Sequence, residues 1–102
     1  MYNCYPDDNH LSTIVGAIGR LNHSHGLATT CELNQKNMET LSKAQNIHSL
    51  ILVTDFITVD QLDRMADIEG LKNLYYQDSK YVTLSDLNGL EVSHPGVQIS
   101  VY

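Results

Sequence analysis

Cysteine and basic side chains are scarce in this chain, and each shortage closes off a class of function. Cys4 and Cys31 are its only cysteines and stand far apart. That pair supplies neither a disulfide framework nor a CxxC metal or redox motif. Six basic residues are set against twelve acidic ones, a net charge of −6. A protein that grips phosphate backbones needs the opposite balance, so no nucleic-acid partner is expected. "GAIG" at 16 to 19 has the GxxG form of a KH loop, but only Arg20 is near it, and helix packing explains it better. No apolar run reaches the length of a membrane span, and the acidic opening "MYNCYPDDNH" is unlike a secretory leader. The expectation is a cytoplasmic, reduced protein that meets no membrane.

What is present is ordinary globular material. The hydrophobic share is 42% over 102 residues, enough for one domain with its own core. "DDNHLSTIVGAIGRLNHSHG" predicts a first helix, with Leu11, Ile14, Val15, Ile18 and Leu21 on one face. Asp7, Asp8 or Asn9 would cap its start, and Gly26 would help end the segment. Gly16 and Gly19 weaken a helix and so imply close packing against a neighbour. From residue 26 onward two patterns alternate. "LATTCEL", "IHSLILVT", "LKNLYYQ" and "VQISVY" have strand character. Between them, "NMETLSKA", "TVDQLDRMADI" and "TLSDLNGL" space their apolar residues as short helices do. Thr58 with Gln61 has the form of a capping box, and Asn37 and Thr83 take the equivalent places in the other two helices.

The alternation is also a repetition. "NIHSLILVTD" at 46 to 55 and "GLKNLYYQDS" at 70 to 79 both carry an apolar residue, two polar ones and an alternating apolar run. Both close on small polar residues. Matching the helices aligns Leu41, Leu62 and Leu87; matching the strands aligns Thr29, Leu50 and Leu74, then Cys31, Leu52 and Tyr76. Two independent elements thus drift together along the chain, by nearly the same step each time.

Ile47, Leu50, Leu52 and Asp55, followed by Leu71, Leu74, Tyr76 and Ser79, fit the pattern L-x-x-L-x-L-x-x-N. A decayed copy runs Gly26, Thr29, Cys31 and Asn34. Residues 26–102 therefore resemble three irregular leucine-rich repeats and a closing strand. The resemblance implies an α/β fold, a short leucine-rich-repeat-like βα solenoid with parallel strands and a protein-binding sheet face. Residues 1–25 would form its N-terminal capping helix. The same elements also suit an open α/β sheet with helices on both faces, the first helix covering the second face.

Alternate strand residues that point outward would form a stripe of Glu32, Asn34, Ile51, Val53, Tyr75, Gln77, Ser100 and Tyr102. Within it Ile51, Val53, Tyr75 and Tyr102 make an apolar and aromatic patch with a polar rim, the composition of a partner-binding surface. The opposing view makes Ile51 and Val53 core, since buried parallel strands are apolar on both faces.

Chemistry has fewer candidates. Asp55 and Asp78 follow the second and third strands, the edge where open sheets place ligands, and could hold Mg²⁺ or meet a phosphate. Asp55 also occupies the repeat's asparagine position, a structural role. His23 and His25 in "NHSHG", with His10 or Cys31, are candidate zinc ligands, although a site needs three or four converging donors. His48 and His94 look isolated, and Asp60, Asp63, Asp67 and Glu69 read as a solvated helix face. The expectation is a non-catalytic protein–protein interaction module without cofactor, in the manner of a small acidic inhibitor, immunity or adaptor protein. Its partner would be a protein, basic for preference, or a second copy. The alternative is a small metal- or phosphate-binding protein using His23 and His25 or Asp55 and Asp78.

Overall fold

Apolar residues at helical spacing and at strand spacing alternate along the chain, and the backbone follows them. The computed structural model describes residues 9–30, 32–54, 57–77 and 80–101. Its elements are α1 (Asn9–Gly19), β1 (His25–Thr29), α2 (Gln35–Ser42), β2 (Ile47–Leu52), α3 (Val59–Ala66), β3 (Asn73–Tyr76), α4 (Leu84–Ser93) and β4 (Gln98–Val101). The four strands form one parallel sheet in the order β1, β2, β3, β4. The expected α/β class is what the chain adopts.

Strand order decides where the helices go. Right-handed crossovers that always step the same way across a sheet lay every connecting helix on one face. Accordingly α1 adjoins α2, α2 adjoins α3, and α3 adjoins α4. Leu11 and Val15 of α1 enter the same core as Leu27, Leu41 and Leu50. The sheet has no reversal of strand order, and α1 lies in line with the other helices. Among the described residues no helix covers the second face.

The core is built in rows. Leu27, Leu50, Leu74 and Ile99 are in register across the sheet, and all four are buried. Beside them Thr29, Leu52 and Tyr76 form a second buried row. Leu41, Met65 and Leu90 close the core from the helices. Full burial of each leucine contributes about 2 kcal/mol of transfer free energy.

Every connecting helix starts in the same way. Asn34, Thr58 and Thr83 are the N-caps of α2, α3 and α4, each accepting a hydrogen bond from the backbone N–H three residues on. Thr58 with Gln61, and Thr83 with Asp86, complete reciprocal capping boxes. The residue before each cap is apolar, and so is the fourth helical residue: Leu33 and Met38, Ile57 and Leu62, Val82 and Leu87. Those are the two positions of a hydrophobic staple. The three caps recur at nearly equal intervals along the chain.

Several expectations need correction at the N-terminal side. The cap of α2 is Asn34, not Asn37; Asn37 is buried and donates its side-chain amide to the Glu32 carbonyl at 2.8 Å. β1 begins at His25 and pairs Leu27 with Leu50, so the first unit sits two residues earlier than Thr29 opposite Leu50. Gly26 lies within β1 and does not end the helix segment. Leu21 falls beyond α1 and is exposed. A Cβ at Gly16 or Gly19 would meet its nearest atom at 3.7 or 3.9 Å, ordinary contact, so neither glycine is demanded by tight packing. Asp7, Asp8, Cys4 and Cys31 lie outside the described residues.

Candidate functional site

The second face of the sheet carries residues that alternate with the buried rows. Gly26, Ser49, Asn73 and Gln98 are in register, and next to them Ala28, Ile51, Tyr75 and Ser100. Ile51, Tyr75 and Ser100 are half-buried, as is Ala28. The ladder continues past the strand ends: Val53 N–H donates to the Thr29 carbonyl at 2.9 Å, and Gln77 N–H to the Leu52 carbonyl at 3.2 Å. Val53 and Gln77 are therefore held beside the same row, also half-buried. Asn73 Nδ2 approaches Ser49 Oγ at 3.4 Å, which orients the polar margin of the face.

Five of the eight expected stripe residues, Ile51, Val53, Tyr75, Gln77 and Ser100, lie on this face. Glu32 and Asn34 do not. β1 ends at Thr29, Glu32 is in the loop that follows, and Asn34 Oδ1 is committed to the Asn37 N–H at 2.8 Å. Their place in the first strand belongs to Gly26 and Ala28. Tyr102 lies outside the described residues.

The histidines divide into two situations. The rings of His23 and His25 meet at a 41° tilt with centroids 4.5 Å apart, and the enclosed Nε2 of His25 has no hydrogen-bond partner among the described residues. No group of three or more histidine, cysteine, aspartate or glutamate side chains able to hold a metal ion occurs among the described residues. Asp55 and Asp78 fall outside them, and no side chain is described for His10.

His94 is the feature that sequence spacing misses. It ends α4, and its imidazole, 10% exposed, sits between a carboxylate of α3, Asp63, and that of the residue capping α3, Asp67. Nε2 is 2.7 Å from Asp63 Oδ1 and Nδ1 is 3.2 Å from Asp67 Oδ1. The two ring nitrogens thus face one carboxylate each, Asp63 within hydrogen-bond distance and Asp67 at the longer approach. Asp63 and Asp67 are one helical turn apart and share a face, but nothing in the sequence points that face at a residue 31 positions away.

A shallow recess between α3 and α4 is lined in part by Asp63 and Ser93. A cleft of about 290 Å³ opens where the strands begin, lined by Ser24, Gln45, Asn46, Ile47, Glu69 and Gly70. Asn46 and Gly70 hold equivalent turns with φ of 64° and 82°. Asn46 also closes the end of α1: its Nδ2 lies 2.7 Å from the Leu21 carbonyl and 3.2 and 3.3 Å from those of Ile18 and Gly19. That cleft is therefore walled by structural turns rather than by the sheet face. Among the described residues no helix is long and apolar enough to cross a membrane. No family model, no curated protein and no solved structure matches the chain.

Proposed function

We propose that residues 25–101 form a short leucine-rich-repeat-like βα solenoid capped by α1, and that the chain is a non-catalytic protein-binding module. Its partner docks on the sheet face. The observation that carries this reading is the row of Ala28, Ile51, Tyr75 and Ser100, half-buried on the side that no described helix covers. Apolar and tyrosine side chains held rigidly on adjacent strands lose little conformational entropy when a partner covers them. The repeat reading draws on the three matching helix starts at near-equal intervals, and on the matching left-handed turns at Asn46 and Gly70. The net charge of −6 favours a basic partner through long-range steering. An inhibitor, immunity or adaptor role is the form this reading takes.

The test begins with a photo-reactive amino acid in place of Tyr75, expressed in the native host, and identification of the protein it captures. That protein is then purified and titrated against the chain. Ile51→Lys combined with Tyr75→Glu should weaken binding at least tenfold, about 1.4 kcal/mol, with the thermal midpoint moved by no more than about 8 °C. Unchanged affinity would remove the face from the interface. Loss of the folded state would show the face to be interior.

A further inference from the structure

Arg20 has no basic neighbour along the sequence, but the fold brings one to it. α1 and α2 lie side by side, and a recess of about 260 Å³ between them is lined by Val15, Gly16, Gly19, Arg20, Lys43 and Gln45. The Arg20 side chain folds back along α1: a Cβ added at Gly16 would meet its Nη2 at 3.7 Å. Lys43, the C-cap of α2, stands on the other wall. Two of the chain's six basic residues therefore share one recess, and no carboxylate among the described residues lines it. Neither cation forms an ion pair among the described residues. In a chain of net charge −6 this recess runs against the prevailing sign.

Each charge has a local reason, since Arg20 and Lys43 end their helices and a cation answers the negative end of a helix dipole. That reason does not account for their meeting in a recess free of acids, where like charges repel. The end of α1 does not bar an anion either, because the carbonyls of Ile18, Gly19 and Leu21 are already turned to Asn46 Nδ2. Arginine offers a planar fork of N–H donors, lysine an ammonium and Gln45 a neutral amide. Gly16 and Gly19 leave the α1 wall without side chains between these donors. Two cations match a phosphate monoester, which carries about −1.5 to −2 at neutral pH. A second recess of about 330 Å³ shares Val15, Gly16 and Lys43 with the first and adds the hydroxyls of Ser12 and Thr40. Lys36 and Glu39 also line it, so that part is balanced in charge and suits a polar, hydroxylated body.

We propose that the recess between Arg20 and Lys43 binds the phosphate group of a small molecule. Arg20 and Lys43 hold the phosphate oxygens, and the second recess takes whatever the phosphate is attached to. The site belongs to the helix layer, on the opposite side from the sheet face, so it stands apart from the partner-binding reading above.

Amide NMR of the full 102-residue chain follows titration with inorganic phosphate and with glucose 6-phosphate, each compared with potassium chloride at the same ionic strength. Saturable shifts should gather at Gly16, Gly19, Arg20, Lys43 and Gln45, with a Kd on the order of 1 mM, and chloride should not reproduce them. Arg20→Gln and Lys43→Gln should each weaken binding by about fivefold or more. Lys72→Gln removes the same charge elsewhere and should leave the affinity unchanged. Tighter binding of the sugar phosphate supports the proposal with the second recess as part of the site; equal affinities support it with free phosphate as the ligand. No saturation by about 50 mM phosphate, or shifts that chloride matches, overturns the proposal. Shifts that spread equally over Arg64 and Lys72 overturn it too, since they signal a general ion atmosphere. So does an equal loss of affinity in the Lys72 variant. Should the Arg20 or Lys43 variant unfold, the chloride comparison on the unmodified chain still decides between these outcomes.

Discussion

Asn46 ties the start of β2 to the end of α1 by one side chain, and its replacement separates two physical effects. The residue holds φ at 64°, in the left-handed region, and its Nδ2 faces the carbonyls of Ile18, Gly19 and Leu21 at the end of α1. One amide carries two N–H groups, so at most two of the three contacts are full hydrogen bonds at once. At about 1 kcal/mol net each they contribute about 2 kcal/mol. The left-handed backbone adds about 1 kcal/mol against any residue with a Cβ that lacks asparagine's tolerance. Asn46→Gly should therefore cost about 2 kcal/mol less a small relief of strain, and Asn46→Ala about 3 kcal/mol. Asn46→Asp keeps the shape but sets a carboxylate against three carbonyl oxygens at the negative end of a helix dipole, so its cost should equal or exceed that of alanine. Urea unfolding followed by far-UV circular dichroism measures all four proteins. Aspartate within about 0.5 kcal/mol of asparagine would refute the anchoring role, and alanine equal to glycine would refute the strain.

Further outcomes test the caps, the core and the α3–α4 clamp. Thr58→Ala should cost about 1 kcal/mol, and Gln61→Ala more than Asp86→Ala. Both N3 side chains return to the cap N–H, but Gln61 Nε2 also reaches the Leu33 carbonyl at 3.1 Å; denaturant midpoints give the order. Leu74→Ala should lose about 2–5 kcal/mol and Leu84→Ala less than about 0.5 kcal/mol in the monomer, the contrast between full burial and 80% exposure. His94→Ala should cost about 1 kcal/mol, because its carboxylate partners are more than half exposed and screened by solvent. A double-mutant cycle with Asp63→Asn should then show coupling below that figure.

The parallel α/β architecture is legible in the strand runs of the second and third units, where Leu50, Leu52, Leu74 and Tyr76 recur at matching two-residue spacing. Periodicity misplaces the first unit for a geometric reason. A two-residue shift in a strand returns each side chain to the same face, and a three-residue shift in a helix turns it by only about 60°. Periodicity alone therefore tolerates Thr29 opposite Leu50 and Asn37 as a cap, and it puts Glu32 and Asn34 on the stripe as a consequence. Cap chemistry breaks the tie. "LNQKNM", "ITVDQL" and "VTLSDL" at 33, 57 and 82 share apolar, capping, two free, polar and apolar positions, and aligning them gives the observed units. The roles of Asn46 and His94 lie beyond reach of the sequence. Their partners lie 25 to 28 residues away for Asn46, and 27 and 31 for His94, and meet them only once the helices have stacked.

The side chains that tie successive units together lie mostly among the helices and loops. Asn46 holds the end of α1, Gln61 reaches back to the loop before α2, and His94 bridges α4 to α3. On the sheet face, Asn73 reaches Ser49 above the ladder. If the proposed reading holds, stability and recognition fall to opposite sides of the same four strands. Neighbouring residues of β2 put that division to a direct test without any partner. Leu50 is fully buried, and Leu50→Lys would sink an unpaired ammonium into the core at a cost of about 5 kcal/mol or more, comparable to the whole stability of a small domain. Ile51 is half-buried on the other face, so Ile51→Lys loses part of an isoleucine's transfer energy while its ammonium reaches water, about 1 kcal/mol. Thermal melts should keep a cooperative transition for Ile51→Lys and lose it for Leu50→Lys. If both substitutions abolish the transition, the sheet is covered on its two sides by its own chain, and the face has no partner left to bind.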